Sequence, residues 1–312
     1  ASLNKLKERN GEIVAFRFSD VAPLSECKDI PGYREFSLYT LYPGLLVGTG
    51  NPHEIAMKEA LKLGFSFDYV TGLPYIPGSS LKGMLRAYFP GDTKDAEKEK
   101  EYDSLIRALL EEVLKKDGIA GSEKVDVKRL KASLFENNDI FLGAFPVPSE
   151  SGFGNEKGKL LDLEYITPHK EKFKNPNPIS LIKVRPAVCF VFAGVFSDYE
   201  EDGEVLVTGG QKAELCKELL LLFGIGAKTN TGYGRFSEKK PVMQSLLPRA
   251  AAAPGRERSG NGPEGRRDAG GFSGKRQEGN GARCKKCGKP VYKINPRTNE
   301  PFPFCWDCNQ KR

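Results

Sequence analysis

Two glycine-punctuated segments set the tightest limits on this chain. The first reads Gly72-Leu-Pro-Tyr-Ile-Pro-Gly-Ser-Ser-Leu-Lys-Gly-Met-Leu-Arg86 and the second Phe223-Gly-Ile-Gly-Ala-Lys-Thr-Asn-Thr-Gly-Tyr-Gly-Arg-Phe236. Each sets small residues that expose backbone beside Lys and Arg. That combination suits a groove for a phosphate backbone, where free N–H groups and cations face the anion. In the first segment Pro74 and Pro77 stiffen the entry and Gly78 allows a sharp turn. Ser79 or Ser80 is expected to cap a helix that runs to about Phe89, where Pro90-Gly91 stops it. Lys82 and Arg86 then share one face, with Gly83 between them to admit a close backbone. In the second segment small residues surround Lys228, Tyr233 and Arg235, and Tyr233 is placed to stack on a base. No Gly-Lys-Ser/Thr closes this loop, so it is not a P-loop. Its Gly224-x-Gly226 follows a helix, which argues against a dinucleotide fingerprint. Either segment alone would serve as a capped helix or a structural turn; together they point to RNA held as a structural ligand.

The body, residues 1–246, mixes strand and helix signals. Alternation from Arg34 to Val47 predicts a strand. Asp95 to Lys116 is highly charged, with Leu105, Ile106, Leu109, Leu110, Val113 and Leu114 at helical spacing. A short helix is expected from Asp126 to Phe135 and a strand from Ile140 to Val147. Ser180 to Phe196 is the most apolar stretch and predicts one central strand, with Pro186 at a bulge or at its start. Gln211 to Phe223 predicts a helix ending at Gly224, then the glycine loop and a short strand near Tyr233 to Phe236. With the charged helical insert at 95–136 left out, the order is β-α-β-β-α-β. The expected class is therefore α+β, a ferredoxin-like (RRM-like) domain with a helical insertion. The chain is 39% apolar, enough for a sizeable core, yet no apolar run approaches the roughly 20 residues of a membrane span. No stretch of signal-peptide type opens the sequence, so the expected location is cytoplasmic.

Charge and cysteine are concentrated at the other end. From Arg249 onward there are 15 Lys/Arg and 6 Asp/Glu, so the whole-chain charge of +7 divides into +9 there and −2 over 1–248. A basic end on a near-neutral body suits contact with nucleic acid or an acidic partner, or simple solubilisation. Residues 247–282 hold an alanine run and then Gly, Arg, Pro and Asp, the composition of a flexible linker. Beyond it, Cys284-x2-Cys287 and Cys305-x2-Cys308 are separated by 17 residues. Two such pairs can bring four thiolates into a tetrahedron, which predicts a structural zinc ribbon over 283–312, with iron as the alternative metal. A core that small needs the metal to fold. Cys27, Cys189 and Cys216 are scattered through the body and read as small hydrophobes or free thiols, not as a disulfide framework.

Taken with the proline-glycine-Ser-Ser-x-Lys-Gly-x-x-Arg helix start and the C-terminal glycine loop, the chain resembles the RAMP superfamily, the repeat-associated proteins of CRISPR effector complexes. A third stretch, Leu161-Asp-Leu-Glu-Tyr-Ile-Thr-Pro-His169 with Asn175-Pro-Asn-Pro-Ile-Ser-Leu-Ile182, and Asn51-Pro-His-Glu54 upstream, is similar to the family of sixth subunits of type III-B (Cmr) complexes. The resemblance spans about 36–237. It implies a non-catalytic subunit that binds guide RNA (crRNA) near its 3′ end, in antiviral defence. It also implies neighbours: the backbone-forming, first-numbered and small helical Cmr subunits, with target RNA reached indirectly. The guide-contacting candidates it carries over are Ser79, Ser80, Lys82, Arg86, Lys228, Tyr233 and Arg235. Two other readings stay open. One is a metal-independent endoribonuclease that processes guide precursors with His53 or His169 as acid or base. The other is a protein adaptor acting through the ribbon, a feature the family does not suggest. Asp139, Asp162 and Glu164 lie in strand-like context and are read as hydrogen-bonded or solvated, with metal binding as the alternative.

Overall fold

The computed structural model describes residues 3–48, 59–61, 66–119, 121–137, 139–166 and 179–242. The chain divides into two units, Ala1–Ala250 and Ala251–Arg312, and the described residues belong to the first. His53, His169, the linker and the four ribbon cysteines lie outside the described residues.

In chain order the elements begin with α1 (Leu3–Ala15), β1 (Tyr33–Thr40), α2 (Gly78–Arg86), α3 (Ala96–Lys116) and α4 (Val127–Ala132). They continue with β2 (Ile140–Pro146), β3 (Leu161–Ile166), β4 (Ile179–Val184), β5 (Cys189–Val195), β6 (Tyr199–Glu201), β7 (Glu204–Val207), α5 (Gly209–Phe223) and β8 (Phe236–Ser237). Four strands form one antiparallel sheet in the order β2-β5-β1-β8, while β3-β4 and β6-β7 are separate antiparallel pairs. The result is a mixed α/β body around an antiparallel sheet. Phe36 and Leu38 of β1 stand opposite Phe192 and Phe190 of β5. These residues pack with Leu81 and Leu85 of α2 and Leu215 and Leu219 of α5 in a single core. Burial of that apolar face is the main force holding helices to sheet.

The charged insert folds as its spacing predicts. Asp95 caps α3, its carboxylate accepting from the N–H groups of Glu97 and Lys98. Ile106, Leu110 and Leu114 are buried, and Lys116 at the helix end reaches Glu214 and Glu218 of α5 at 2.5 and 3.0 Å. Asp126 caps α4 in the same way, and a π-turn at Ser133–Asn137 continues it. Helix α5 starts two residues earlier than the periodicity suggests. Thr208 and Gln211 form a capping box there, and Gly224 with φ 72° ends the helix.

Several expectations are corrected. The apolar run from Ser180 to Phe196 is two strands in two sheets, not one central strand. Pro186 sits in the turn between them, where Ala187 takes φ 61°. Buried Thr40 fixes that turn: its hydroxyl donates to the Arg185 carbonyl at 2.7 Å and accepts from the Val188 N–H at 3.0 Å. The bulge lies instead in β2, between Phe141 and Gly143. Strand β1 stops at Thr40, short of Val47, because the chain turns at Leu41–Gly44 and Leu45 bridges to Val184 of β4. The last strand is Phe236–Ser237, not Tyr233–Phe236.

One ion pair is wholly inside. Lys212 Nζ lies 2.8 Å from Asp139 Oδ2, with both side chains 0% exposed. Lys212 also donates to Ser133 Oγ at 2.7 Å, and Ser197 donates to Asp139 Oδ1 from its N–H at 2.8 Å and its hydroxyl at 3.0 Å. The pair ties α5 to the start of β2. Removing one partner would leave the other charge buried without compensation, so Lys212→Met should cost about 3–5 kcal/mol of stability. Urea unfolding of the variant checks this, and a loss below about 1 kcal/mol, the scale of an exposed pair, would contradict it.

Candidate nucleic-acid interface

Helix α2 begins differently from the expectation. Its N-cap is Pro77 with ψ 141°, and no side-chain oxygen caps it; Ser79 and Ser80 lie in the first turn, exposed. A serine cap is excluded because the chain leaves the strand-like segment only at Pro77, so both serines already have helical backbone. The N–H groups of Ser80 and Leu81 both donate to the Pro77 carbonyl, at 3.0 and 3.1 Å, which leaves those of Gly78 and Ser79 at the helix start, with two hydroxyls beside them. Gly78 serves packing: a Cβ there would lie 1.9 Å from the Phe141 carbonyl oxygen. Gly143, with φ 99°, makes the reciprocal approach, 2.4 Å from the Ile76 oxygen. Ile76 and Ala144 exchange two backbone hydrogen bonds of 2.9 Å beside them. The helix start is thus seated on the edge of β2. Gly83 has nothing within 4 Å of its would-be Cβ and is exposed, an open place on the surface.

The two cations of α2 differ. Lys82 is partly exposed and makes no ion pair among the described residues. Arg86 is engaged: its guanidinium bonds Asp92 at 3.0 Å and Glu136 at 3.1 Å. Asp92 also takes Lys131 Nζ at 2.9 Å, and Lys131 donates to the Pro90 carbonyl at 2.9 Å. Hydrogen bonds from Arg86 and then Lys131 hold the Asp92 carboxyl down at about 2. Arg86 therefore ties α2 to the turn at Pro90–Asp92 and to the π-turn.

The second segment folds back on the turn that follows β1. Ala227 N–H donates to Leu46, and Gly234 N–H to Gly44, each at 2.8 Å. Side chains at Gly226 and Gly234 would meet the Leu46 and Ile225 oxygens at 2.4 and 1.9 Å. Lys228 stands at the exposed crest with left-handed backbone, φ 58° and ψ 30°, and pairs with no carboxylate among the described residues. Tyr233 donates its hydroxyl to Glu164 Oε2 at 2.7 Å, and the same oxygen accepts from Lys183 at 2.7 Å. Burial alone would raise the Glu164 pKa, but the bonds from Lys183 and Tyr233 outweigh it and lower it. Burial and the Glu164 bond push the Tyr233 phenol up. Arg235 is half-buried, its guanidinium donating to the Leu222 carbonyl at the end of α5, and burial lowers its pKa.

The two segments meet at their inner ends. Tyr88, just past α2, stacks on Phe223 at the end of α5 with ring centroids 3.7 Å apart. Ser79, Ser80, Lys82 and Lys228 present themselves to solvent, whereas Arg86, Tyr233 and Arg235 are held by protein partners. Of the carboxylates singled out in the sequence, Asp139 holds Lys212, Glu164 holds Lys183 and Tyr233, and Asp162 accepts its neighbour Leu163 N–H at 2.9 Å. Among the described residues no group of three or more His, Cys, Asp and Glu could hold a metal ion. Sequence reasoning missed the Glu164–Lys183 link; its only trace was the alternation in Leu161-Asp-Leu-Glu-Tyr-Ile.

The sequence model of the RAMP superfamily matches residues 37–237, a span that contains both segments and all four strands of the sheet apart from the first residues of β1. The chain belongs to the RAMP superfamily. This RAMP protein is also similar to the CRISPR system Cmr subunit Cmr6 of Pyrococcus furiosus, 24% identical over 247 residues that cover 62% of this chain and 65% of the relative. Among solved structures, a cryo-EM structure of the type III-B Cmr-beta bound to cognate target RNA matches with 20% identity, a TM-score of 0.38, and coverage of 75% of this chain and 63% of that one. The crystal structure of Cmr6 from Pyrococcus furiosus matches with 22% identity, a TM-score of 0.38, and coverage of 66% and 98%.

The Arg86 cluster gives a pH prediction. Asp92 is depressed from 3.8 to about 2 in the folded protein. Its contribution to stability is therefore complete above the unfolded carboxylate value and is lost as pH falls toward 2. Asp92→Asn should lower the thermal midpoint at neutral pH and flatten its decline between about pH 4 and 2. A variant whose acid limb superimposes on that of the parent would contradict this assignment.

Proposed function

We propose that this chain is a non-catalytic guide-RNA-binding subunit of a type III-B CRISPR effector, acting in the cytoplasm and seated near the 3′ end of the guide. The observation that carries the reading is that two backbone-docked RAMP segments each present a lysine with no ion pair among the described residues: Lys82 on α2, beside Ser79, Ser80 and open Gly83, and Lys228 on the glycine loop. The N–H groups of Gly78 and Ser79, the two hydroxyls and the lysine ammoniums suit phosphate, and contacts of this kind bind backbone without reading sequence. A guide with variable spacers needs that tolerance. Tyr233, with its hydroxyl fixed by Glu164, keeps its ring in one orientation for stacking. The partners in this reading are the guide, the backbone-forming, first-numbered and small helical Cmr subunits, and, through the guide, target RNA.

The sheet is read as ferredoxin-like. Without α1, α3, α4 and the two small strand pairs, the elements run β1-α2-β2-β5-α5-β8 and pair in the order β2-β5-β1-β8. Cys284, Cys287, Cys305 and Cys308 supply the four soft thiolates that suit structural zinc.

The proposal separates the lysines from Arg86. Lys82→Ala and Lys228→Ala should each reduce the slope of log affinity for guide RNA against log salt by about 0.7, the value for one phosphate on a single strand. Arg86→Ala should move stability more than slope, because carboxylates already occupy the guanidinium. Binding titrations across a salt series measure this; unchanged slopes for both lysine variants would overturn the contact assignment.

A further inference from the structure

A tight hairpin precedes α2 and points two apolar side chains into water. Its arms bridge at Phe67 and Pro74. The turn is closed by Asp68 N–H to the Leu73 carbonyl and Gly72 N–H to the Asp68 carbonyl, each 2.8 Å. Asp68 Oδ2 also accepts from Thr71 N–H at 2.8 Å and from its hydroxyl at 2.7 Å, while that hydroxyl accepts from Leu73 N–H at 3.2 Å. Gly72 takes φ 70°. The tip between these bonds is Tyr69, 101% exposed, and Val70, 89% exposed. So much hydrogen bonding is not needed to keep two apolar residues in solvent. It does fix their position, so that little conformational entropy is lost when they are buried.

The base of the hairpin borders an apolar cleft. Phe67, at its base, also lines an open cleft of ≈ 420 Å³ together with Ile13, Phe16, Phe18, Leu161 and Ile182. Phe16 is 58% exposed and stands edge-on to Phe18, with centroids 4.8 Å apart. Tyr69 and Val70 project from the turn two and three residues after Phe67, which is the hairpin's own contribution to this hollow. Tyr is favoured at the centres of protein interfaces, where its ring fills a pocket at low entropic cost. Among the described residues that build the hairpin and line the cleft, the charged groups are Asp68 in the turn and Glu12 in the cleft. Hydrogen bonds from Thr71 keep the Asp68 carboxyl below its usual range, so it remains an anion. A carboxylate beneath the tip repels phosphate, and Val70 has no face to stack, so RNA is the poorer occupant.

We propose that Tyr69, Val70 and the Phe16–Phe67 cleft form a protein-docking surface. It takes a sibling subunit of the same effector that offers an apolar pocket for Tyr69, an apolar side chain for the cleft, and a Lys or Arg opposite Asp68 and Glu12. This inference rests on the effector-subunit reading above.

Co-expression of the full chain with its sibling subunits, followed by quantitative pull-down through a tagged sibling, tests both. The parent is expected to be retained. Tyr69→Ser/Val70→Ser and, separately, Phe16→Ser should each lower retention roughly tenfold or more, the loss expected at an interface hot spot. Thermal midpoint and guide-RNA affinity of the hairpin variant should stay unchanged, since its side chains are outside the core. Retention of the variants at parental levels would overturn the inference while leaving the effector reading intact. Failure of the parent itself to join the siblings would overturn both. Loss of guide affinity without loss of retention would assign the tip to RNA. A dimer of the isolated parent abolished by the hairpin variant would assign it to a second copy; either result would overturn the proposed occupant.

Discussion

Backbone pressed against backbone is the constraint on which the rest of this structure depends. At Gly78 and Gly143 the start of α2 meets β2, and at Gly226 and Gly234 the glycine loop closes on the turn after β1 and on itself. In each case an added Cβ would come within 2.4 Å of a carbonyl oxygen. Gly44 makes a similar approach to Val184, at 2.1 Å. These contacts leave no space for any other residue, and real Cβ atoms do not approach so closely. They fix where Lys82 and Lys228 stand on a core that would otherwise specify only which faces are apolar.

A consequence is a division of labour among cations that look alike in sequence. Lys82 and Lys228 project from the docked segments with no carboxylate among the described residues. Arg86 and Arg235 are bound to Asp92 with Glu136, and to the Leu222 carbonyl. Arginine's planar fork suits such fixed partners, while lysine remains a mobile point charge. The same logic applies to Tyr233, whose hydroxyl shares the Glu164 carboxylate with Lys183 and joins the glycine loop to the β3–β4 pair.

Much of this was legible in the residues. Helix α3 announced itself by its apolar spacing, and α5 by its end at Gly224, because these signals are local. What stayed hidden depended on contacts distant in sequence. The break at Pro186–Ala187 is held by Thr40, nearly 150 residues away, where the hydroxyl bonds Arg185 and Val188. Helix α1 is mostly polar, with Asn10 its one buried residue, so its pattern gave no apolar stripe to read. The serine cap failed because Pro77 sets the helix start. The role of Arg86 could not be inferred from its place one turn after Lys82, because Glu136 reaches it through a π-turn that no motif marks.

RNA is expected to lie along the two glycine-docked segments. Ultraviolet crosslinking of the native complex, with mass spectrometry of the peptide–RNA adducts, tests it most directly. Adducts are expected within Gly78–Arg86 and Ala227–Tyr233, on RNA with a shared repeat tag and variable spacers. Adducts confined to the segment beyond Arg249, or to the Tyr33–Tyr39 face of β1, would contradict it.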